Sequence, residues 1–244
     1  MSPPTVAELA KLIDHSVIDP FHTENDLREG VALAKKYKTG QFVTQPFRVK
    51  QARELLKGTD IKLQTFVGLP HGSDHTAVKV LQASLALEDG AQEIDMVINI
   101  SALLSGDVKY VEDEIKAVVE TAKRYDVVVK AIIEVFFLND EQVKTAGLAA
   151  ERAGVGFVKT STGTKPDRVP DVERAVKVLR SVLKPTTVIK ASGGCYTTDA
   201  IVTYYRAGAR RFGAFETAKI LEGYEELLLR GATGLDWDTI MDDM

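Results

Sequence analysis

Eight short runs of apolar and β-branched residues, each followed by a segment of helical period, constrain this chain more than any other feature. The runs cover residues 12–17, 41–44, 62–67, 93–98, 127–135, 156–161, 187–191 and 211–215. Between them lie amphipathic patterns such as Val111, Ile115, Val118, Val119 and Ala122, or Ala77, Val80, Leu81, Ser84 and Leu85. Thr23 with Asp26 three residues on, Ser73 before Asp74, and Asn139 before Asp140-Glu141 predict helix starts. Successive runs begin about 21 to 34 residues apart, enough for one helical crossover back to a parallel neighbour. Eight such units in 244 residues match the size of a closed (β/α)₈ TIM barrel. A doubly wound open sheet is the competing α/β architecture, but no GxGxxG turn follows the first run. No Pro/Gly/Ser-rich linker divides the chain, so residues 1–244 are expected to form one barrel domain.

Composition removes several function classes. No apolar run approaches the ~18 residues of a spanning helix, and the first residues lack the basic and apolar regions of a secretory signal. A single cysteine, Cys195, cannot form an internal disulfide, which fits a reducing compartment. Lys plus Arg number 31 against 35 Asp plus Glu, a net charge of -4 without the basic footprint of a nucleic-acid binder. The expectation is a cytoplasmic protein whose partner is a small molecule, not nucleic acid or membrane.

The anomaly is three lysines inside apolar strand runs: Lys130 in Val-Val-Val-Lys-Ala-Ile-Ile-Glu, Lys159 in Phe-Val-Lys-Thr-Ser-Thr-Gly, and Lys190 in Thr-Val-Ile-Lys-Ala-Ser-Gly-Gly. Lysine is depleted from strands and rarely buried without a partner. In a closed barrel the fifth, sixth and seventh strands are adjacent, so the three amines converge where they must pair or lose protons. Candidate partners are Asp95, Asp14, and Glu134, four residues after Lys130 and hence expected on the same face. One buried lysine alone would read as an ion pair; three on successive strands point to chemistry.

That chemistry is Schiff-base catalysis. An amine attacks a carbonyl only when unprotonated, and an ordinary lysine at neutral pH is free in roughly one molecule in a few thousand. A second ammonium nearby lowers the first amine's pKa and frees a nucleophile. Asp95 could then move protons, directly or through a water. Two lysines on neighbouring strands with a carboxylate make a class I aldolase site.

The ordered motifs Ile13-Asp14-His15-Ser16, Gly68-Leu69-Pro70-His71-Gly72, Glu93-Ile94-Asp95-Met96-Val97-Ile98-Asn99, Lys130-Ala131-Ile132-Ile133-Glu134, Phe157-Val158-Lys159-Thr160-Ser161-Thr162-Gly163 and Lys190-Ala191-Ser192-Gly193-Gly194 resemble those of the deoxyribose-phosphate aldolase family. The resemblance implies a metal-free and cofactor-free TIM-barrel aldolase that reversibly cleaves 2-deoxyribose 5-phosphate to glyceraldehyde 3-phosphate and acetaldehyde. It implies Lys159 as the Schiff-base lysine, Lys190 as its tuning neighbour, Asp95 as proton shuttle, and Asp14 and Lys130 as residues that orient and balance the network. Thr160, Thr162, Gly163, Ser192, Gly193, Gly194, Gly213 and Ala214 would bind substrate.

The chain departs from the family where phosphate is usually held: Tyr196 stands at an arginine position, and Phe215 and Glu216 stand at serine positions. Gly193 and Gly194 retain backbone donors, and Lys165 lies in the loop after the sixth run. The same chemistry on a non-phosphorylated sugar or aldehyde is therefore a second expectation, and a catalytically idle metabolite-binding barrel a third. After Glu134, Val135-Phe136-Phe137 replaces a Thr and a small residue of the family and predicts a more apolar wall; Gln45 stands where the family has Asn or Tyr. His71 and His75 have metal-like spacing, but Gly72 interrupts any helix and no HExxH glutamate is present, so they read as loop histidines. Cys195 reads as an inert thiol, the tail 236–244 as a docking or disordered segment, and a homodimer as the default assembly.

Overall fold

The computed structural model describes residues 3–164 and 168–229. Lys165 and the segment 236–244 lie outside them. Eight parallel strands, β1 (Ile13–Val17), β2 (Gln41–Thr44), β3 (Lys62–Val67), β4 (Glu93–Val97), β5 (Val128–Ile132), β6 (Phe157–Lys159), β7 (Val188–Ser192) and β8 (Arg211–Ala214), close in sequence order. β8 returns to β1 with Ile13 opposite Phe212 and Asp14 opposite Gly213. Helix α1 (Val6–Lys11) precedes the barrel. The crossover helices are α2 (Glu24–Tyr37), α3 (Val49–Leu55), α4 (Thr76–Glu88), the pair α5 (Ile100–Leu104) and α6 (Val108–Lys123), α7 (Asp140–Arg152), α8 (Val169–Arg180), α9 (Thr198–Arg206) and α10 (Thr217–Leu229). This is the (β/α)₈ barrel that the spacing predicts.

Alternation along the strands divides the protein into two interiors. One row, with Ile13, Phe42, Leu63, Ile94, Met96, Val129, Ala131, Val158, Ile189, Ala191 and Phe212, is fully buried and faces the helices. His15 belongs to this outer row: its Nδ1 lies 2.9 Å from Thr217 Oγ1 on α10. Burial lowers its pKa to about 4, so at neutral pH it is an uncharged core residue. The other row points into the barrel and carries Asp14, Gln41, Gln64, Glu93, Asp95, Lys130, Lys159, Lys190 and Arg211. The main hydrophobic core therefore lies between sheet and helices, while the barrel's own interior combines these charges with apolar residues such as Val43, Ile132 and Phe157.

Local signals explain most element ends. Thr23 and Asn139 cap α2 and α7 through reciprocal bonds with Asp26 and Gln142. Ser73 is not a cap: α4 starts at Thr76, and the His75 side chain accepts the Ala77 N–H. The fifth strand is shorter than its apolar run, because Glu134 adopts a left-handed backbone (φ 51°) and turns the chain into a short 3₁₀ segment, Val135–Phe137. The apolar wall expected from these residues is mixed, since Val135 is buried and Phe137 about half exposed.

In α6 the predicted stripe Val111, Ile115, Val118, Val119 and Ala122 is the buried one. In α4 the outcome is reversed. Lys79, Ala83, Ala86 and Leu87 are buried, whereas Leu81 and Leu85 are 57% and 53% exposed.

Candidate active site

The three strand lysines do converge. Register places Asp95 beside Lys130, Lys159 beside Lys190, and Lys190 beside Arg211 around the barrel wall. Asp95 Oδ2 accepts from both Lys159 Nζ, at 2.8 Å, and Lys190 Nζ, at 2.9 Å. Lys190 Nζ also lies 2.5 Å from Asp14 Oδ2, and Arg211 donates to Asp14 Oδ1 at 3.3 Å. Lys130 sits below, 3.6 Å from Asp95 Oδ1, donating to Gln64 Oε1 at 2.8 Å and paired with Glu93.

Glu134, expected beside Lys130, is not its partner. It lies beyond the strand end, at the left-handed turn itself, and its Oε2 accepts from the Thr162 N–H at 3.2 Å and the Thr162 hydroxyl at 2.5 Å. The carboxylates that pair with Lys130 are Asp95, as expected, and Glu93, two residues before it on the same strand face.

These contacts set unequal proton affinities. Burial is the first cause for Lys159: it disfavours the ammonium and takes the amine below the ordinary lysine value, with Lys190 adding to the fall and Asp95 opposing it. Lys190 is buried too, but Asp14 and Asp95 outweigh that burial and hold its pKa above the ordinary value. Burial alone would raise Asp95; Lys159, Lys190 and Lys130 reverse this and keep it an anion. Two lysines whose bridging carboxylate oxygen is shared are thus driven apart, one toward the free amine and one toward the ammonium.

Charge balance reinforces the assignment. Among the described residues, Lys130, Lys159, Lys190 and Arg211 face the carboxylates Asp14, Glu93 and Asp95, and the half-exposed Lys62 adds a fifth cation 3.7 Å from Glu93, so the cations outnumber the carboxylates and favour a free amine among them.

Above Lys159 and Lys190 a small cleft opens at the C-terminal end of the barrel. Gly163, Gly193, Gly194 and Gly213 line it with Ser192, Cys195, Tyr196 and Phe215. Gly213 points inward, and a Cβ there would come within 3.4 Å of Lys190 Cε and 3.2 Å of Ser192 Oγ, so its bareness leaves room beside the amines. Ala214, next in the strand, is buried on the opposite side. Thr160 exchanges two bonds with the Ser192 backbone, 2.8 and 2.9 Å, which staples the ends of β6 and β7. Thr162 spends its hydroxyl on Glu134 and Thr164. Cys195 is buried against the Ala191 and Gly193 carbonyls. Glu216 does not line the cleft; it is exposed, and its carbonyl accepts the Ile220 N–H in the first turn of α10.

A parallel barrel with a lysine pair and shared aspartate at its centre is the architecture of class I aldolases. The family model for DeoC/LacD family aldolases matches residues 9–215, and the chain belongs to that family. It is 42% identical over 220 residues to the deoxyribose-phosphate aldolase of Aciduliprofundum boonei, covering 89% of this chain and 97% of the relative. It is 40% identical over 220 residues to that of Thermococcus gammatolerans, covering 88% and 96%. A solved deoxyribose phosphate aldolase from Aeropyrum pernix, described as a unique tetramer, superposes with a TM-score of 0.84 at 32% identity, covering 91% of this chain and 93% of that one. The chain is an enzyme, a lyase of the class I aldolase kind, and the idle-barrel expectation lapses. Among the described residues no helix is long and apolar enough to cross a membrane.

Proposed function

We propose that Lys159 forms a Schiff base with an aldehyde or sugar carbonyl, and that the reaction is the reversible cleavage of 2-deoxyribose 5-phosphate to glyceraldehyde 3-phosphate and acetaldehyde. The observation that carries the reading is the single Asp95 oxygen shared between Lys159 and Lys190. The free Lys159 amine attacks the carbonyl carbon, and Asp95, directly or through a water, carries protons as the carbinolamine loses water. The resulting iminium nitrogen withdraws electrons while the carbon–carbon bond breaks and the β-hydroxyl gives its proton to the Asp95–water relay, forming glyceraldehyde 3-phosphate; the enamine left on Lys159 takes a proton at carbon and water hydrolyses the iminium to acetaldehyde and the free amine. Because that nitrogen is the electron sink, the route calls on no metal or organic cofactor. Lys190 keeps the neighbouring charge positive, and Asp14 and Lys130 hold Lys190 and Asp95 in place. Ser192, Gly163, Gly193, Gly194 and Gly213 offer hydroxyl, backbone donors and space to the substrate's far end, with Thr160, Thr162 and Ala214 shaping the strand ends behind them. The reading extends to one domain over residues 1–244, working in the cytoplasm as a homodimer. The relatives' names support the substrate; the A. pernix relative is described as a tetramer, the alternative to the dimer.

A second reading, the same chemistry on a non-phosphorylated sugar or aldehyde, is favoured by one observation. Among its described lining residues the cleft carries no charged side chain, and Tyr196 and Phe215 form part of its wall. The decisive assay measures acetaldehyde release from 2-deoxyribose 5-phosphate and from 2-deoxyribose. The double change Tyr196→Arg with Glu216→Ser is expected to raise the phosphate-over-free-sugar ratio of kcat/KM by roughly tenfold or more, the range of one charge-assisted hydrogen bond. A wild-type enzyme that strongly prefers the phosphorylated sugar, with a ratio untouched by the double change, removes the second reading.

A further inference from the structure

Outside the barrel, one pair of charged groups is buried as completely as the lysines of the site. Lys79 on α4 and Glu114 on α6 are both fully inaccessible, with Nζ 2.7 Å from Oε2. α4 exposes two leucines while turning this lysine inward, the reverse of what its apolar residues would favour. Burying an ion pair is costly, and two apolar side chains of similar size commonly hold a fold as well or better. What the charges add is direction.

That direction is toward the exit of β4. Lys79 Nζ donates to the Val97 carbonyl at 2.9 Å, and Glu114 accepts the Asn99 N–H through its other oxygen. Between them, the Ile98 N–H donates to the Ile132 carbonyl, continuing the ladder to β5. The loop after β3 is fitted to the same place. A Cβ on Gly68 would approach Lys79 Cε to 3.1 Å, the Gly68 N–H donates to Gln82 Oε1 of α4 at 2.8 Å, and a Cβ on Gly72 would collide with the Ile98 carbonyl at 1.9 Å. Two residues upstream of Val97 stands Asp95, held from the inside by Lys159 and Lys190.

We infer that Lys79 and Glu114 are positioning residues, which fix the end of β4 from outside the barrel so that Asp95 meets Lys159 and Lys190 together. The inference rests on the Schiff-base reading. The groups facing Lys159 are Asp95 on β4, Lys190 on β7 and Asp14 on β1. Asp95 and, to a lesser extent, Asp14 favour the charged amine, so a displaced Asp95 leaves Lys159 freer of its proton yet without its proton carrier.

The test is Lys79→Met combined with Glu114→Gln, which keeps volume and an acceptor for Asn99 but removes both charges and the donor to Val97. Wild-type protein trapped on Lys159 by acetaldehyde and borohydride is the control, and failure there counts against the Schiff-base reading instead. In folded variant, kcat per active site should fall about tenfold or more, KM should change less, and the pH dependence of trapping should move toward acid. A simple loss of stability lowers the melting temperature and the active fraction but not the apparent pKa of trapping. Glu114→Asp, charged but one methylene shorter, should shift the profile the same way by less. A folded variant with wild-type kcat and pH dependence overturns the inference, and failure of both variants to fold overturns it too, reducing the pair to a stability element.

Discussion

Replacing Lys159 with leucine is expected to lower turnover by at least about a thousandfold and to leave the fold intact. The magnitude follows from losing the covalent intermediate, which no remaining group on β6 can supply. The fold should hold because Asp95, on losing Lys159, still has Lys190 at 2.9 Å and Lys130 at 3.6 Å, so no buried carboxylate is orphaned. The check is a progress curve for retro-aldol cleavage beside circular dichroism and a melting curve. Activity above about a tenth of wild type in a folded Lys159→Leu protein would move the nucleophile elsewhere.

Lys190→Leu should produce the second largest effect, with a different signature. Lys190 opposes the charge on Lys159 and competes with it for Asp95 Oδ2, so its removal raises the Lys159 pKa. The active form is the free amine, present only as pH rises through that pKa, so the acid limb of the kcat profile should move to higher pH. Each unit of movement costs about 1.4 kcal/mol, or tenfold in free amine below the pKa. At neutral pH the expected loss is at least tenfold, with partial recovery in alkaline buffer. Lys159→Leu should show no such recovery. An unmoved profile with near-normal turnover would make Lys190 a structural ion-pair member only.

How far the chain discloses this site depends on how each residue interrupts its surroundings. Lys130, Lys159, Lys190 and Asp95 stand inside apolar runs where a charge is conspicuous, and eight regularly spaced runs are enough to close the barrel around them. Glu93 and Arg211 are inconspicuous in the sequence because each opens its strand, where charge is ordinary. Counting back two from Asp95 would have found Glu93. Arg211 is harder, since Arg210 beside it is equally plausible until the strand's phase is known; in the structure Arg210 turns to the Tyr205 and Ala209 carbonyls and Arg211 turns inward to Asp14.

Other features lay beyond pattern reading. The left-handed turn at Glu134 ends the strand inside its β-branched run, and Glu134 bonds Thr162 where the alternation predicts Lys130, a difference carried by backbone angle. The inversion of α4 follows from Glu114, a partner 35 residues away whose burial no periodicity on α4 reports. The cause of the lowered Lys159 pKa also differs in emphasis from the sequence argument. Proximity to Lys190 contributes, but burial is the first cause, and burial is a property of the closed barrel.

The central claim, that Lys159 is the amine that joins the carbonyl, is tested most directly by mapping where the carbonyl is caught. Wild-type protein would be treated with acetaldehyde and borohydride, its intact mass measured and the modified peptide sequenced. The account predicts one ethyl group per chain, on Lys159. An ethyl group confined to Lys130 or Lys190, or no specific label at all in an enzyme that turns over, would contradict it.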